Sequence, residues 1–218
     1  SLGDQEESSK GSKFVSVHPM QDSLSFIAKT STYNLKDNII NVFGVNEIVV
    51  ADVTIYPSEE GFVVEKDAFI PTISNARILA NNSTQYHEFS NASVNIDGGK
   101  KYTASGDYTY KDALGEEQHI FFTDISVNDE KSTIARGEVD NAEPFKIGSK
   151  FLFKGSVDLL ASNRLLTFNG FFKMINKCNL IKEEWVGFSS EINPKRIQFK
   201  LDSVLRNEDG DKLATGIL

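Results

Sequence analysis

Apolar and polar residues alternate with a period of two along most of this 218-residue chain, the pattern of strands with one buried and one solvated face. Phe14, Ser16 and His18 interleave with Val15 and Val17, and Leu24, Phe26 and Ala28 share a face of the next segment. Turn residues punctuate the alternation. Residues 34–38 (NLKDN) predict a hairpin between Tyr33 and Ile39, and residues 57–61 (PSEEG) predict a second hairpin joining Thr54-Ile55-Tyr56 to Phe62-Val63-Val64. Asp97-Gly98-Gly99-Lys100 is a third turn, followed by strands over residues 102–110 and 119–125. Residues 151–160 and 165–174 flank Ser162-Asn163-Arg164 as a long hairpin.

One cadence recurs: a turn, an apolar pair, a spacer, then Gly and another apolar residue. It reads YNLKDNIINVFGV at residues 33–45, VNDEKSTIARGEV at 127–139 and LLASNRLLTFNGFF at 159–172. Self-similarity of this kind predicts repeated hairpin units. Three segments begin with Ala (Ala51, Ala76 and Ala92), and a small residue at a strand start suits close backbone approach at a sheet corner. Only residues 174–185 (MINKCNLIKEEW) lack β alternation and could hold a helical turn or two.

The expected fold is therefore all-β, mainly antiparallel stacked hairpins in an open jellyroll or β-sandwich with little helix. Residues 1–13 read as a polar linker, 14–100 as a β module with hairpin repeats, and 101–218 as a second module continuous with the first. The polar start, and a strand, Asp-Gly turn and second strand over residues 205–218 (LRNEDGDKLATGIL) that stop just after the apolar pattern resumes, read as cuts in a longer protein. Sixteen Phe and six Tyr against one Trp agree with β structure.

Charge and cysteine content exclude several function classes. A formal net charge of −8 and a pI near 5.0 give a field that repels phosphate backbones, so nucleic acid is not expected as a partner. Cys178 is the sole cysteine, so no intrachain disulfide forms, and a buried thiol is its expected role. No apolar run reaches the roughly 18 residues of a membrane-spanning helix, and residues 1–12 lack the apolar core of a secretory signal.

Candidate chemistry is sparse. His18, His87 and His119 have no metal-ligand spacing, so no metal or cofactor is expected, and they read as solvent-facing or hydrogen-bonded strand residues. The pairs Glu59-Glu60, Glu116-Glu117 and Glu183-Glu184 sit in predicted turns, where adjacent carboxylates diverge instead of facing each other as a glycosidase needs. Glu208-Asp209-Gly210-Asp211 lacks the spacing of a calcium loop and reads as a hairpin turn. Ser105-Gly106 and Gly155-Ser156 lack the nucleophile elbow, and sequons at Asn81, Asn82 and Asn91 fall in Asn-rich turns. No catalytic residue is assigned. Doubled phenylalanines, Phe121-Phe122 and Phe171-Phe172, point one ring to each sheet face, either over a covered outer face or along a groove for an acyl chain.

The cadence at residues 33–45, and more loosely those at 127–139 and 159–172, resembles the repeat of the OstA-like family of lipopolysaccharide-transport proteins. That resemblance implies an open, folded-over β jellyroll whose groove carries lipid acyl chains across the periplasm. Segments VHPMQDSLSF (17–26), VVADVTIYP (49–57) and ASGDYTY (104–110) are similar to very long uncharacterised envelope proteins of Gram-negative bacteria. Together the likenesses imply a non-catalytic structural or binding module of a cell-envelope protein, with lipid or neighbouring β domains as partners. The alternative is a carbohydrate-binding or glycan-active β-sandwich, built on an aromatic platform of Tyr and Trp185 with two facing carboxylates.

Overall fold

The computed structural model describes residues 11–140, 144–175, 184–200 and 204–213. The fold is all-β, a single large curled antiparallel sheet. Its strands are β1 (Ser12–Val15), β2 (Ser25–Asn34), β3 (Ile39–Val50), β4 (Val53–Tyr56), β5 (Phe62–Val64), β6 (Ile73–Ala80) and β7 (His87–Gly98). They continue with β8 (Lys101–Lys111), β9 (Glu117–Val127), β10 (Thr133–Val139), β11 (Phe145–Gly148), β12 (Phe151–Leu160), β13 (Leu166–Met174) and β14 (Val186–Ile192). The hydrogen-bonded order is β1-β2-β3-β4-β6-β7-β8-β9-β10-β12-β13-β14. Helix among the described residues is confined to two 3-10 turns, Pro19–Gln21 and Lys66–Ala68.

Three predicted hairpins form as expected, at β2–β3, β7–β8 and β12–β13. Because β7 and β8 are paired neighbours, residues 98–101 lie inside the sheet's own run of hairpins. The hairpin predicted across residues 57–61 does not form. Instead β4 pairs with β3 at Ile48–Val50 and then with β6, while β5 returns to pair with the opposite half of β3, at Ile40–Val42. The same device recurs on the far side: β10 pairs with β12 at Gly155–Leu160, and β11 with the other half at Phe151–Phe153. Turn residues alone do not distinguish a hairpin from a chain that leaves one partner and comes back beside the same long strand.

Several strands are bent by bulges. Register shifts mark bulges in β7–β8 between Ser90 and Ser93, in β8–β9 between Ala104 and Gly106, and in β9–β10 between Arg136 and Gly137. Of the cadence glycines, Gly137 lies at such a shift, while Gly170 sits in a regular ladder directly opposite Gly155. Gly44 is left-handed (φ +63°) opposite Lys29, and a Cβ on Gly137 would approach the Phe121 carbonyl oxygen to 2.7 Å. Ala76 and Ala92 sit within strands beside bulges, next to left-handed Asn75 and Asn91, instead of at strand starts. Only Ala51 lies before its strand, in the β3–β4 turn. The predicted helical stretch falls largely on residues 176–183, outside the described residues; Met174 ends β13.

Curling brings distant turns together. The Ala51 N–H donates to the Gly99 carbonyl at 2.9 Å, joining the β3–β4 turn to the β7–β8 turn. Asp52 accepts from both the backbone N–H (2.9 Å) and the hydroxyl (2.6 Å) of Thr133, at the start of β10. On the inner side Tyr110 of β8 meets Phe168 of β13 edge to face, with centroids 5.7 Å apart. Phe168 in turn packs on Phe153, and Phe153 on Phe188, so rings fill this part of the interior.

Candidate functional site

Each of the two places where a strand pair splits holds a cleft. Where β10 leaves β9 and β11 takes its place beside β12, a cleft of about 580 Å³ opens between Glu117, His119, Phe121, Glu138 and Phe145. The pseudo-equivalent split at β4 and β5 holds a cleft of about 420 Å³ bordered by Ile39, Glu60, Phe62, Glu65 and Asn75. Each is a consequence of topology: a strand that changes partner leaves part of its old neighbour unladdered.

The larger cleft is stitched by side chains. Gln118 of β9 donates its amide to the Lys146 carbonyl (2.7 Å) and accepts from the Lys146 N–H (2.6 Å), standing in for the missing strand-to-strand pair. The Tyr110 hydroxyl donates to the Ile147 carbonyl at 2.8 Å. Burial pushes the Tyr110 phenol above its ordinary range, and the nearby Asp112 charge adds to that shift. It therefore stays a donor.

The carboxylates here are spoken for. Glu117 is bonded to Lys111 (2.7 Å), a hydrogen bond and charge that hold its carboxyl below the usual value, while Glu116 reaches Lys146 at 3.5 Å. The adjacent pair thus diverges onto two different lysines, as predicted. Glu138 lies 3.9 Å from Arg136. Glu59 and Glu60 occupy the loop between β4 and β5, and Glu183 lies outside the described residues together with Cys178.

Of the three histidines, His87 is the one built into the core, at 1 % exposure. Its Nε2 lies 2.6 Å from the Asn163 carbonyl and its Nδ1 3.1 Å from the Tyr108 hydroxyl. A carbonyl only accepts, so these partners assign the proton to Nε2 and make Nδ1 the acceptor from Tyr108. Burial lowers the His87 pKa, with the Asn163 carbonyl pulling weakly the other way. The unfolded chain therefore takes up this proton before the folded chain does. Stability should be full above the ordinary value of 6.5 and fall as the pH drops below it, levelling off once the folded imidazole is also protonated. Urea midpoints measured from pH 8 to pH 5 check this, with His87→Gln losing part of the slope; an identical slope in both proteins contradicts it.

The glycan platform is not presented as a bare surface. Trp185 is half-buried, with the Lys154 and Lys173 ammonium groups 4.6 and 5.2 Å from its ring centroid. Lys154 is also ion-paired with Glu208. The Glu208-Asp211 segment is the predicted turn: Asp211 N–H donates to the Asn207 side chain, and Arg206 bridges to Lys212. Ser105, Gly106, Gly155 and Ser156 lie within strands. Among the sequon residues, Asn81 caps its turn by accepting from the Ser83 and Thr84 N–H groups. The doubled phenylalanines do split between faces. Phe122 is buried and Phe121 half exposed, while Phe172 packs on Phe188 and Phe171 lies on the other face near Lys154.

Among the described residues, no group of three His, Cys, Asp or Glu side chains is placed to hold a metal ion, and no helix is long and apolar enough to cross a membrane. No family model matches the chain, and no curated protein or solved structure matches it.

Proposed function

We propose that the chain is a non-catalytic structural or binding module of a larger bacterial cell-envelope protein, which continues its sheet into neighbouring β domains through the end strands. The observation that carries this reading is the state of those ends: β1 pairs with β2 alone and β14 with β13 alone among the described strands. On the outer side of β14 the Gly187 N–H donates to the Arg206 carbonyl. Strand alternation turns the backbone groups of Ser189 and Glu191 toward that same side, where an added strand extends the ladder.

The ring-filled interior and the turn-to-turn ties support a rigid scaffold. The resemblance of the Gly-terminated cadences to OstA-like repeats supports an envelope location and lipid as the ligand class. A cysteine at Ser189, on the open edge, tests the docking: in whole cells it should cross-link to a β domain of the parent protein or its neighbour and co-fractionate with the envelope. A protein that stays in the cytoplasmic fraction and cross-links to nothing overturns the proposal.

A further inference from the structure

At the first edge of the sheet, bordered by β1, β2, β3 and β5, lies an apolar cavity of about 130 Å³ walled by Phe14, Leu24, Phe26, Ile40, Val64 and Ile70. Its lining passes through both 3-10 turns, at Gln21 and at Ala68. Those turns hold two runs of consecutive non-glycine residues in the left-handed region, Asp22-Ser23 (φ 48° and 57°) and Asp67-Ala68 (φ 60° and 59°). Backbone of this kind is disfavoured for any side chain, and it clusters where a ligand or a moving part needs it.

Gln21 links the turns. Its Nε2 donates to the Ala68 carbonyl at 2.6 Å, which fixes the orientation of the amide, and its buried Oε1 has no partner. Around the cavity the chain exposes large apolar side chains: Val17 at 96 %, Met20 at 79 % and Phe69 at about half lie outside the strands, and Val15, also about half exposed, ends β1. Val15 lines the cavity, and each of the others is the immediate chain neighbour of a lining residue.

We infer that this cavity takes the end of a single saturated alkyl chain, with the remainder of a single-chain amphiphile lying across the Val15, Val17, Met20 and Phe69 rim. Size supports the end of one chain: an apolar protein cavity of about 150 Å³ stays dry and holds a six-carbon molecule. Chemistry supports an alkyl group, because the walls are aliphatic and phenyl side chains apart from Ser16 and Gln21. The exposed rim argues that the ligand is longer than the cavity, since apolar surface left in water beside an apolar pocket marks a binding surface. The strained turns are the parts placed to shift as the chain enters. This inference rests on the lipid-binding part of the proposed function and leaves edge docking through β14 independent of it.

Decanoate, titrated below its micelle concentration into the methyl-labelled full chain, tests the site by NMR. The methyls of Leu24, Ile40, Val64 and Ile70 should move saturably while those of Ile147 and Leu159, at the other end of the core, stay still. Val64→Phe, which fills the cavity, should abolish the response. Val17→Asp, on a side chain whose loss cannot unfold the protein, should weaken it about tenfold. Xenon entering where decanoate does not would reduce the cavity to a packing void and overturn the inference. So would a response unchanged in both variants, binding to phosphatidylcholine vesicles without binding of decanoate, or a rim covered by a second copy in a concentration-dependent dimer. Cross-linking at Ser189 is unaffected by any of these results, so failure here is distinguishable from failure of the scaffold reading.

Discussion

Asp52→Ala should lower the unfolding free energy by about 3 kcal/mol, the largest effect expected of any side-chain truncation outside the apolar core. The Asp52 carboxylate accepts two hydrogen bonds from Thr133, 81 residues further along the chain, and Thr133 is wholly buried. Thr133 Oγ1 gives its proton to Asp52 and so can only accept from the hydroxyl of Tyr102, 2.8 Å away and also wholly buried. Burial pushes the Tyr102 phenol far up, so it remains a donor across the ordinary pH range. Removing the carboxylate leaves the Thr133 N–H without its acceptor and both hydroxyls competing for one. Bonds to an ionised acceptor contribute about 1.5–3 kcal/mol each, and an orphaned buried donor costs about as much. Asp52→Asn keeps the shape but loses the charge, and should cost roughly half as much. Urea unfolding with an unchanged m-value is the measurement; a loss below about 0.5 kcal/mol would mean that the turns are held by packing alone.

Gly170→Ala should cost about 3 kcal/mol, at the upper end of ordinary overpacking. Gly170 of β13 faces Gly155 of β12 directly across the ladder. A Cβ on Gly170 would stand 2.8 Å from the Gly155 Cα, and one on Gly155 would stand 2.7 Å from the Gly170 Cα. Both approaches are to backbone held in the β12–β13 ladder, which cannot swing aside. Gly115 is the internal control: it is left-handed (φ +81°) and a Cβ there would meet nothing within 4 Å, so Gly115→Ala should cost only the conformational penalty of about 1 kcal/mol. Thermal or urea midpoints of the two variants compare them. Equal losses would show that backbone conformation, and not the close approach of β12 and β13, sets the requirement for glycine.

These two sites differ in how visible they are in the sequence. Gly170 belongs to the repeated cadence, and its meaning could be read in outline: a strand that ends its apolar run with Gly is one that bends or meets another backbone. Strand alternation, the Asn34–Asn38 turn and the Asp97–Lys100 turn were equally legible, because each is set by residues close together in the chain. Asp52 was not. Nothing local distinguishes it from any other turn aspartate, since its partner lies five strands away and is reached only once the sheet has curled. The partner switches of β3 and β12 were hidden for a related reason: a strand alternates in the same way whether it has one neighbour along a flank or two in succession. His87 looked like any strand histidine, and only the fold brings the Asn163 carbonyl to it. The cavity at the first edge was not legible either: Val15 and Val17 read as strand alternation, and only the fold shows Val17, Met20 and Phe69 exposed outside the strands beside it.

Edge availability is what the scaffold account depends on most. Hydrogen exchange of β14, measured on the isolated chain and on the longer parent protein proposed above, tests it most directly. The account predicts that the outward amides of Ser189 and Glu191 exchange rapidly in the isolated chain and become protected in the parent, while the amides of β7 and β8 are protected in both. Equal and rapid exchange of Ser189 and Glu191 in both proteins would contradict it.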